Sequence, residues 1–348
     1  AALTDADYNV VVGRAALASD TLGSRSTAIG TYALGAQNFT TATDNYNTAV
    51  GYSAGSSIST GTANTLMGGL SGDSLNTGES NVALGFSALG ADTKGNNNVA
   101  VGREALAAQN FTTATDSLNV AVGYRAGYNV TTGIKNTIIG GLAGDQLADA
   151  DFNVAVGYGS LSTDDLGSKS TAVGTFALEA QNYATATDSH NTAVGYIAGG
   201  AITTGVQNTI IGSLAGDALT TGQENVALGY AALSGDDVGN HSTAIGWNAL
   251  ISQNYATSTD SNNTAVGWNV GSSISTGIQN TLIGSHAGDA LTDADYNVAI
   301  GMQALTADTL GSRSTAMGFF ALGSQNFTTA TDVYNTAVGY SAGSAVTT

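Results

Sequence analysis

The 348 residues contain no cysteine and no proline. Without Cys there is no disulfide scaffold, no thiolate metal site and no thiol nucleophile. At the usual ~5% of residues about 17 prolines would be expected, so their absence argues against a linker array and against collagen. Charge is also scarce, with 10% of residues charged against ~25% in an ordinary domain. Only 8 residues are Lys or Arg against 26 Asp or Glu, for a net charge of −18. So few basic groups form no patch able to neutralise phosphates, which excludes nucleic acid as a partner. No apolar run reaches the roughly 18 residues of a membrane helix, so no membrane insertion is expected. No basic start leads into an apolar core, so no signal peptide is expected either. Disorder is excluded too, because 42% of the residues are apolar and charge density is low.

Repetition takes the place of these features. The pattern Asn/Ser, Thr/Val, small or apolar, apolar, Gly occurs nineteen times, from Asn9 to Asn335. The spacing between successive copies runs 17, 21, 17, 17 and then recurs, a super-repeat of 72 in which Asn9, Asn81, Asn153, Asn225 and Asn297 are equivalent. Residues 1–348 therefore read as one continuous array of four full units and a partial fifth. Ala1 falls at the phase of Asp289, inside a coil, so a segment of a longer fibre is expected.

Each coil shares one internal grammar. The closing Gly (Gly13, Gly30, Gly51 and onward) is present in all nineteen, and three residues later comes a small residue, Ala in sixteen. The next position is Leu in the first two coils of a unit (Leu17, Leu34) and Gly in the last two (Gly55, Gly72). A Gly fixed at one phase implies positive φ or close backbone approach. Apolar residues at i and i+2 fit a strand and not the i, i+3, i+4 spacing of a helix, and 47 glycines at about 1 kcal/mol each would burden helices heavily. The fold expected is all-β, a parallel β-roll or β-solenoid of about twenty short coils. At ~4.8 Å per coil it makes a rod of roughly 90–95 Å, with each unit advancing about 19 Å. Strand alternation puts the β-branched pair on one face and Ala on the other. The expected core is thin: the β-branched pair, one Ala and in some coils a Leu. A small Ala face left outside would then suit close approach by a second chain, so an oligomer is expected.

The strings STAIGTYAL (26–34), NTAVGYSAG (47–55) and NVALGFSAL (81–89) resemble the head repeats of trimeric autotransporter adhesins, and similar repeats occur in phage tail-fibre proteins. The resemblance covers essentially the whole chain. It implies a left-handed roll, a homotrimer of three chains side by side, and a surface adhesive or spacer role. It brings no catalytic residues to map. The coils here are longer than is usual in that family, and every fourth carries a four-residue insertion.

The string VGYSAG fits one hexapeptide of a left-handed acyltransferase helix, but the rest of each coil does not. GGLAGD (140–145) comes once per super-repeat, too sparse for a calcium ladder with an ion at each turn. No cofactor is predicted; a single calcium ion at an oligomer interface is left open. Asp73, Asp145, Asp217 and Asp289, each directly after a Gly, read as turn-capping carboxylates. An ice-binding Thr ladder is absent, since Thr41-Ala42-Thr43 comes once in four coils. Tyr52, Tyr124, Tyr196, Trp268 and Tyr340 form a sparse aromatic row, read as surface packing with sugar stacking as the alternative. The three His residues (His190, His241, His286) share no phase, and no nucleophile elbow or phosphate loop occurs. The chain is therefore not expected to be an enzyme.

The inserted loop, GAQNFTTATDNY at 35–46 in its first copy, carries the candidate contact residues. These are Asn38, Phe39 and Asp44, then Asn110, Phe111 and Asp116, then Asn182, Tyr183 and Asp188, then Asn254, Tyr255 and Asp260, and finally Asn326, Phe327 and Asp332. Two accounts stand side by side. In one the loop is a bulge whose aromatic packs down on the roll while Asp caps a turn. In the other, five loops present a polar and aromatic surface to a glycan or receptor. The Asn-x-Thr sequons at Asn38, Asn110 and Asn326 read as chance in a chain rich in Asn and Thr. The function expected is that of an extracellular, cell-surface or virion fibre: the shaft or head of a filament, adhesin or tail fibre. Its partners are its own copies, as a trimer or an end-to-end filament, and a surface glycan or receptor.

Overall fold

A computed structural model describes residues 4–348; Ala1, whose phase was used above, lies outside the described residues. All regular structure there is β, with no helix among the described residues. The chain divides into two compact units, one made of residues up to Ser170 with Asn182–Thr187, the other of Thr171–Gln181 and Asp188–Thr348. Every one of the nineteen motifs forms a three-residue strand, nine of them in the first unit and ten in the second.

Within the first unit these strands pair in parallel and in chain order. Thr27–Ile29 lies in register on Val10–Val12, Thr48–Val50 on Thr27–Ile29, and Thr65–Met67 on Thr48–Val50. The second unit repeats the scheme, with Thr192–Val194 on Thr171–Val173 and Thr209–Ile211 on Thr192–Val194. Register holds across the shorter and the longer spacing alike, because the four extra residues leave the ladder as a loop. That loop returns as a short strand, Thr43–Asp44, paired parallel with Gly23–Ser24.

The closing Gly works through both of its expected properties. Gly123 has φ +140°, and a Cβ added to it would lie 2.5 Å from the carbonyl oxygen of Gly140 in the next coil. No side chain fits there. Beyond it the corner alternates in hand: Ser53 has φ 53° and Gly55 φ 57°. This alternation turns the Ser53 N–H to Thr31 O of the preceding coil and the Gly55 N–H to Ser71 O of the following one, both at 2.9 Å. Coil-to-coil hydrogen bonding thus continues around the bend, which keeps the buried backbone groups paired. Leu17 and Leu34 hold the Gly55 phase at φ 46° and 49°, a costly conformation for a side-chain residue.

The interior reverses one expectation. The central strand residue points inward: Ala28, Ala49, Leu66 and Ala83 are fully buried. The β-branched or aliphatic pair flanking it points out, leaving Val10 at 50% and Leu84 at 43% exposed. The Ala face is therefore core, and the larger face meets solvent. Alternation dictates that the two sets oppose each other; coil closure decides which is inside. Backbones meeting at the Gly corner leave room for Ala, one larger residue and an amide. The larger residue moves between positions. Leu17 and Leu34 supply it in two coils, whereas Gly55 lies against Ile58 and Leu66, and Gly72 against Leu66 and Leu75.

The amide belongs to the first residue of the motif, which had no role assigned from sequence. Asn47, Asn64 and Asn81 are fully buried. Asn64 Nδ2 donates to Gly78 O at 2.9 Å, and its Oδ1 accepts the Asn81 N–H at 3.0 Å. The same pattern runs through Asn208 and Asn225 in the second unit. The result is an internal asparagine ladder in which such an Asn satisfies one backbone donor and one backbone acceptor; Ser26, Ser170, Ser242 and Ser314 interrupt it once per super-repeat.

Candidate contact surfaces

The inserted loop is anchored by a buried polar network. Gln37 Nε2 donates to Asp20 Oδ2 at 2.6 Å and to Ser26 Oγ at 2.9 Å, and Gln37 Oε1 accepts from Asn47 Nδ2 at 2.9 Å. Asp20 Oδ1 takes the N–H groups of Gly23 and Phe39 at 3.0 and 3.3 Å. The same set recurs as Asp92 with Gln109, Asp236 with Gln253 and Asp308 with Gln325. Burial pushes the Asp236 carboxyl above its ordinary range, against the opposing hydrogen bonds of Gln253 and Gly239. A second turn-capping set, to which the sequence reading gave no role, is the Asp20 set, whose Gly23, Gly95, Gly167, Gly239 and Gly311 partners lie three residues on; Asp73, Asp145 and Asp217 each take a backbone hydrogen bond of their own.

The loop aromatics pack inward. Phe39, Phe111, Tyr183 and Tyr255 are buried and Phe327 is partly so. Tyr255 makes the point chemically: its hydroxyl donates to Gly277 O at 2.8 Å, and burial raises its pKa. These rings hold the loop down and offer no contact area, which corrects the aromatic half of the expected surface. The exposed part is polar except at the loop's last position, where Tyr46, Leu118 and Tyr334 stand in solvent. Asn38, Asn110, Asn182, Asn254 and Asn326 all face solvent, as do Asp44, Asp116, Asp188, Asp260 and Asp332.

Each of those aspartates already has a partner. Asp44 Oδ2 pairs with Arg25 Nε at 2.9 Å, and Asp332 Oδ1 with Arg313 Nε at 2.9 Å. Asp116 Oδ1 accepts from Asn97 Nδ2 at 3.1 Å, and Asp260 Oδ1 lies 3.4 Å from His241 Nδ1. The partners share one phase, directly before the motif, where the backbone has positive φ (Arg25 65°, His241 58°). The hydrogen bond and charge of Asp44 raise the Arg25 pKa further. Arg25 also sits over the rings of Tyr8 and Tyr46, at 5.0 and 5.7 Å, and Arg313 over Tyr296 and Tyr334, at 4.5 and 5.9 Å. The loop Asp is thus one member of a surface row of alternating aromatic and cationic groups. The available signal was that the same offset along the chain separates Arg25 from Asp44 and Arg313 from Asp332.

Asp73, Asp145 and Asp217 are half-buried, and desolvation raises the pKa of each. Asp289 accepts from Thr306 Oγ1 at 2.6 Å and pairs with His286 Nδ1 at 2.9 Å. No group of three or more His, Cys, Asp or Glu placed to hold a metal ion occurs among the described residues.

Two further surfaces remain. One is the outward strand face, where Val10, Val12, Met67 and Leu84 in the first unit and Leu228, Ile283 and Met317 in the second are substantially exposed. The other is the corner position after the closing Gly, which carries Tyr52, Phe86, Tyr124 and Tyr158 in the first unit and Tyr196, Tyr230, Trp247, Trp268 and Tyr340 in the second, all exposed. No family model matches the chain, and no curated protein matches it.

Proposed function

We propose that the chain is a non-enzymatic structural element of an extracellular fibre, the shaft or head of a surface adhesin or phage tail fibre. It self-associates side by side as a homotrimer of left-handed rolls and acts by reach and by many weak contacts, whose avidity comes from multiplicity. It lies outside the cell or on a virion, without a cofactor, membrane insertion or nucleic-acid partner. The observation that carries this is the outward strand face. A regular row of Val, Ile, Leu and Met side chains stands in solvent along the ladder of each unit, and exposed apolar surface of that extent marks an interaction site. Its regularity suits a second copy, which presents the same row. The repeat strings that resemble trimeric adhesin heads supply the number three and the hand.

Light scattering after size exclusion tests this, with Leu84→Lys and Leu228→Lys as variants. Both side chains are outward, at 43% and 41% exposure, so the coils keep their cores. A threefold mass that falls to a single-chain mass in the variants is the expected result. A monomeric parent chain would remove the proposal. Filaments imaged in the same peak would extend it to end-to-end assembly.

A further inference from the structure

Asn-x-Ser/Thr occurs six times, at Asn38, Asn110, Asn129, Asn240, Asn262 and Asn326. Abundance of Asn and Thr accounts for the number of these sequons but not for what the fold does with them. In three of them the fold already uses the amide nitrogen. Asn129 Nδ2 donates to Gln146 Oε1 at 3.0 Å, and Asn262 Nδ2 to Asp260 O at 3.0 Å. Asn240 is buried, and its Nδ2 donates to Ser258 Oγ and Asp260 Oδ1, both at 3.1 Å.

The other three share one phase of the inserted loop and behave alike. Asn38, Asn110 and Asn326 are exposed, and a threonine of the preceding coil holds each by its oxygen. Thr21 Oγ1 donates to Asn38 Oδ1 at 3.3 Å, Thr93 Oγ1 to Asn110 Oδ1 at 3.0 Å, and Thr309 Oγ1 to Asn326 Oδ1 at 3.1 Å. None of the three Nδ2 atoms makes a hydrogen bond among the described residues. Each amide is thus oriented with its nitrogen open to solvent. Two residues on, Thr40, Thr112 and Thr328 are also exposed, and their hydroxyls make no hydrogen bond among the described residues. The aromatic between is turned inward, so Asn and Thr both stand outward.

The two sister loops, at Asn182 and Asn254, change both threonines together. Ala184 and Ala256 stand in place of Thr40, and Asp165 and Asp237 in place of Thr21. A carboxylate donates nothing to an amide oxygen, so the oriented amide and the sequon disappear in the same loops. Thr40, whose hydroxyl has no partner in the fold, has no packing reason to vary in step with Thr21.

We infer that Asn38, Asn110 and Asn326 are acceptor sites for N-linked glycans. In the transfer, carried out by an oligosaccharyltransferase, Nδ2 bonds to the anomeric carbon of an oligosaccharide held on a lipid diphosphate. The bond from that carbon to the phosphate oxygen breaks, the lipid diphosphate leaves, and Nδ2 gives up one proton. The finished coil must tolerate the product, and it does so where Nδ2 is unused and faces open space. In the first unit the glycans of Asn38 and Asn110 stand about 19 Å apart, one super-repeat along the roll. The inference rests on the extracellular reading above, because this transfer acts on exported chains.

The test uses the full chain, exported with a cleavable leader from a eukaryotic secretory host. Peptide-N-glycosidase in heavy-oxygen water converts each glycosylated Asn to a labelled Asp, and peptide mapping reads the sites. Label at Asn38, Asn110 and Asn326, and none at Asn129, Asn240 and Asn262, is the expected result. Thr40→Ala removes the Asn38 glycan and Thr40→Ser keeps it, while both variants made without glycan melt like the parent chain. Asp165→Thr with Ala184→Thr adds a labelled site at Asn182. An unlabelled chain, or equal label at all six sequons, would overturn the inference, as would a bare Asn182 in the double variant. Failure of the extracellular reading shows differently, as native chain retained inside its own cells with the labelling of the exported chain unchanged.

Discussion

Gly123 and Tyr124 are neighbours in the chain and belong to regions under opposite constraints. Gly123 faces the Gly140 carbonyl of the next coil across a gap that admits no Cβ, and its phase carries Gly in every coil. Tyr124 is 48% exposed, and its phase carries Arg14, Thr31, Gly69, Trp247 and Met302 elsewhere. The inner lattice of Gly, Ala, Leu and Asn is fixed because each coil is the template for the next. The outer rows touch neighbours through side-chain tips only, so they can vary, and specific chemistry can be placed there. In a periodic protein, then, regularity reports packing, and variability marks the phases that packing leaves free.

The sharpest way to break this contrast is to substitute the two neighbours. Gly123→Ala must strain both backbones, and a loss of about 3–5 kcal/mol in urea unfolding is expected. Tyr124→Ala should change stability by less than about 1 kcal/mol; comparable losses would dissolve the distinction. Next in size is Asn64→Ala. It removes the acceptor of the Asn81 N–H and the donor to Gly78 O, and about 2–4 kcal/mol is expected from two unpaired buried groups.

A reciprocal exchange sharpens the comparison inside the lattice. Ser26 Oγ donates to Asn45 Oδ1 at 2.8 Å, and one super-repeat later Ser117 Oγ donates to Asn98 Oδ1 at 2.8 Å, with the two residue types swapped. Ser26→Asn alone should cost about 1–2 kcal/mol, and adding Asn45→Ser should recover most of it, a coupling read by a double-mutant cycle.

Acidity gives a smaller effect of defined sign. Burial raises the carboxyl pKa values of Asp73, Asp145, Asp217 and Asp236. The folded state therefore holds these protons more tightly than the unfolded chain. Stability falls as pH rises through the raised values and is regained below them. A higher melting temperature at about pH 5 than at about pH 7 is expected, with Asp217→Asn and Asp236→Asn reducing the difference. A melting temperature that falls on mild acidification would contradict it. Smallest of all is the outer ion pair. Arg25→Gln leaves Asp44 in solvent, and no measurable shift in the urea midpoint is expected.

Much of the inner lattice was legible from spacing. Nineteen motifs became nineteen strands, and the Gly phase proved to combine positive φ with close approach, because one requirement repeated at one phase has few physical causes. The inserted loops were legible as loops, and their aromatics as residues with a fixed place. The rings' burial was not, since Gln37, Asp20 and Phe39 meet only after the longer coil closes. Nor was the Arg25–Asp44 pairing, which depends on the register between two coils.

The sequence by itself determined the period, the all-β coil and the opposition of Ala28 to Thr27 and Ile29, because these follow from local geometry along one strand. Only the tertiary structure decided which side of that strand became the core. The choice depends on the width left when Gly corners stack backbone on backbone, a distance set between coils. That width admits Ala28, Leu34 and the Asn47 amide, and it leaves the β-branched row and the Trp247 and Trp268 rings facing solvent.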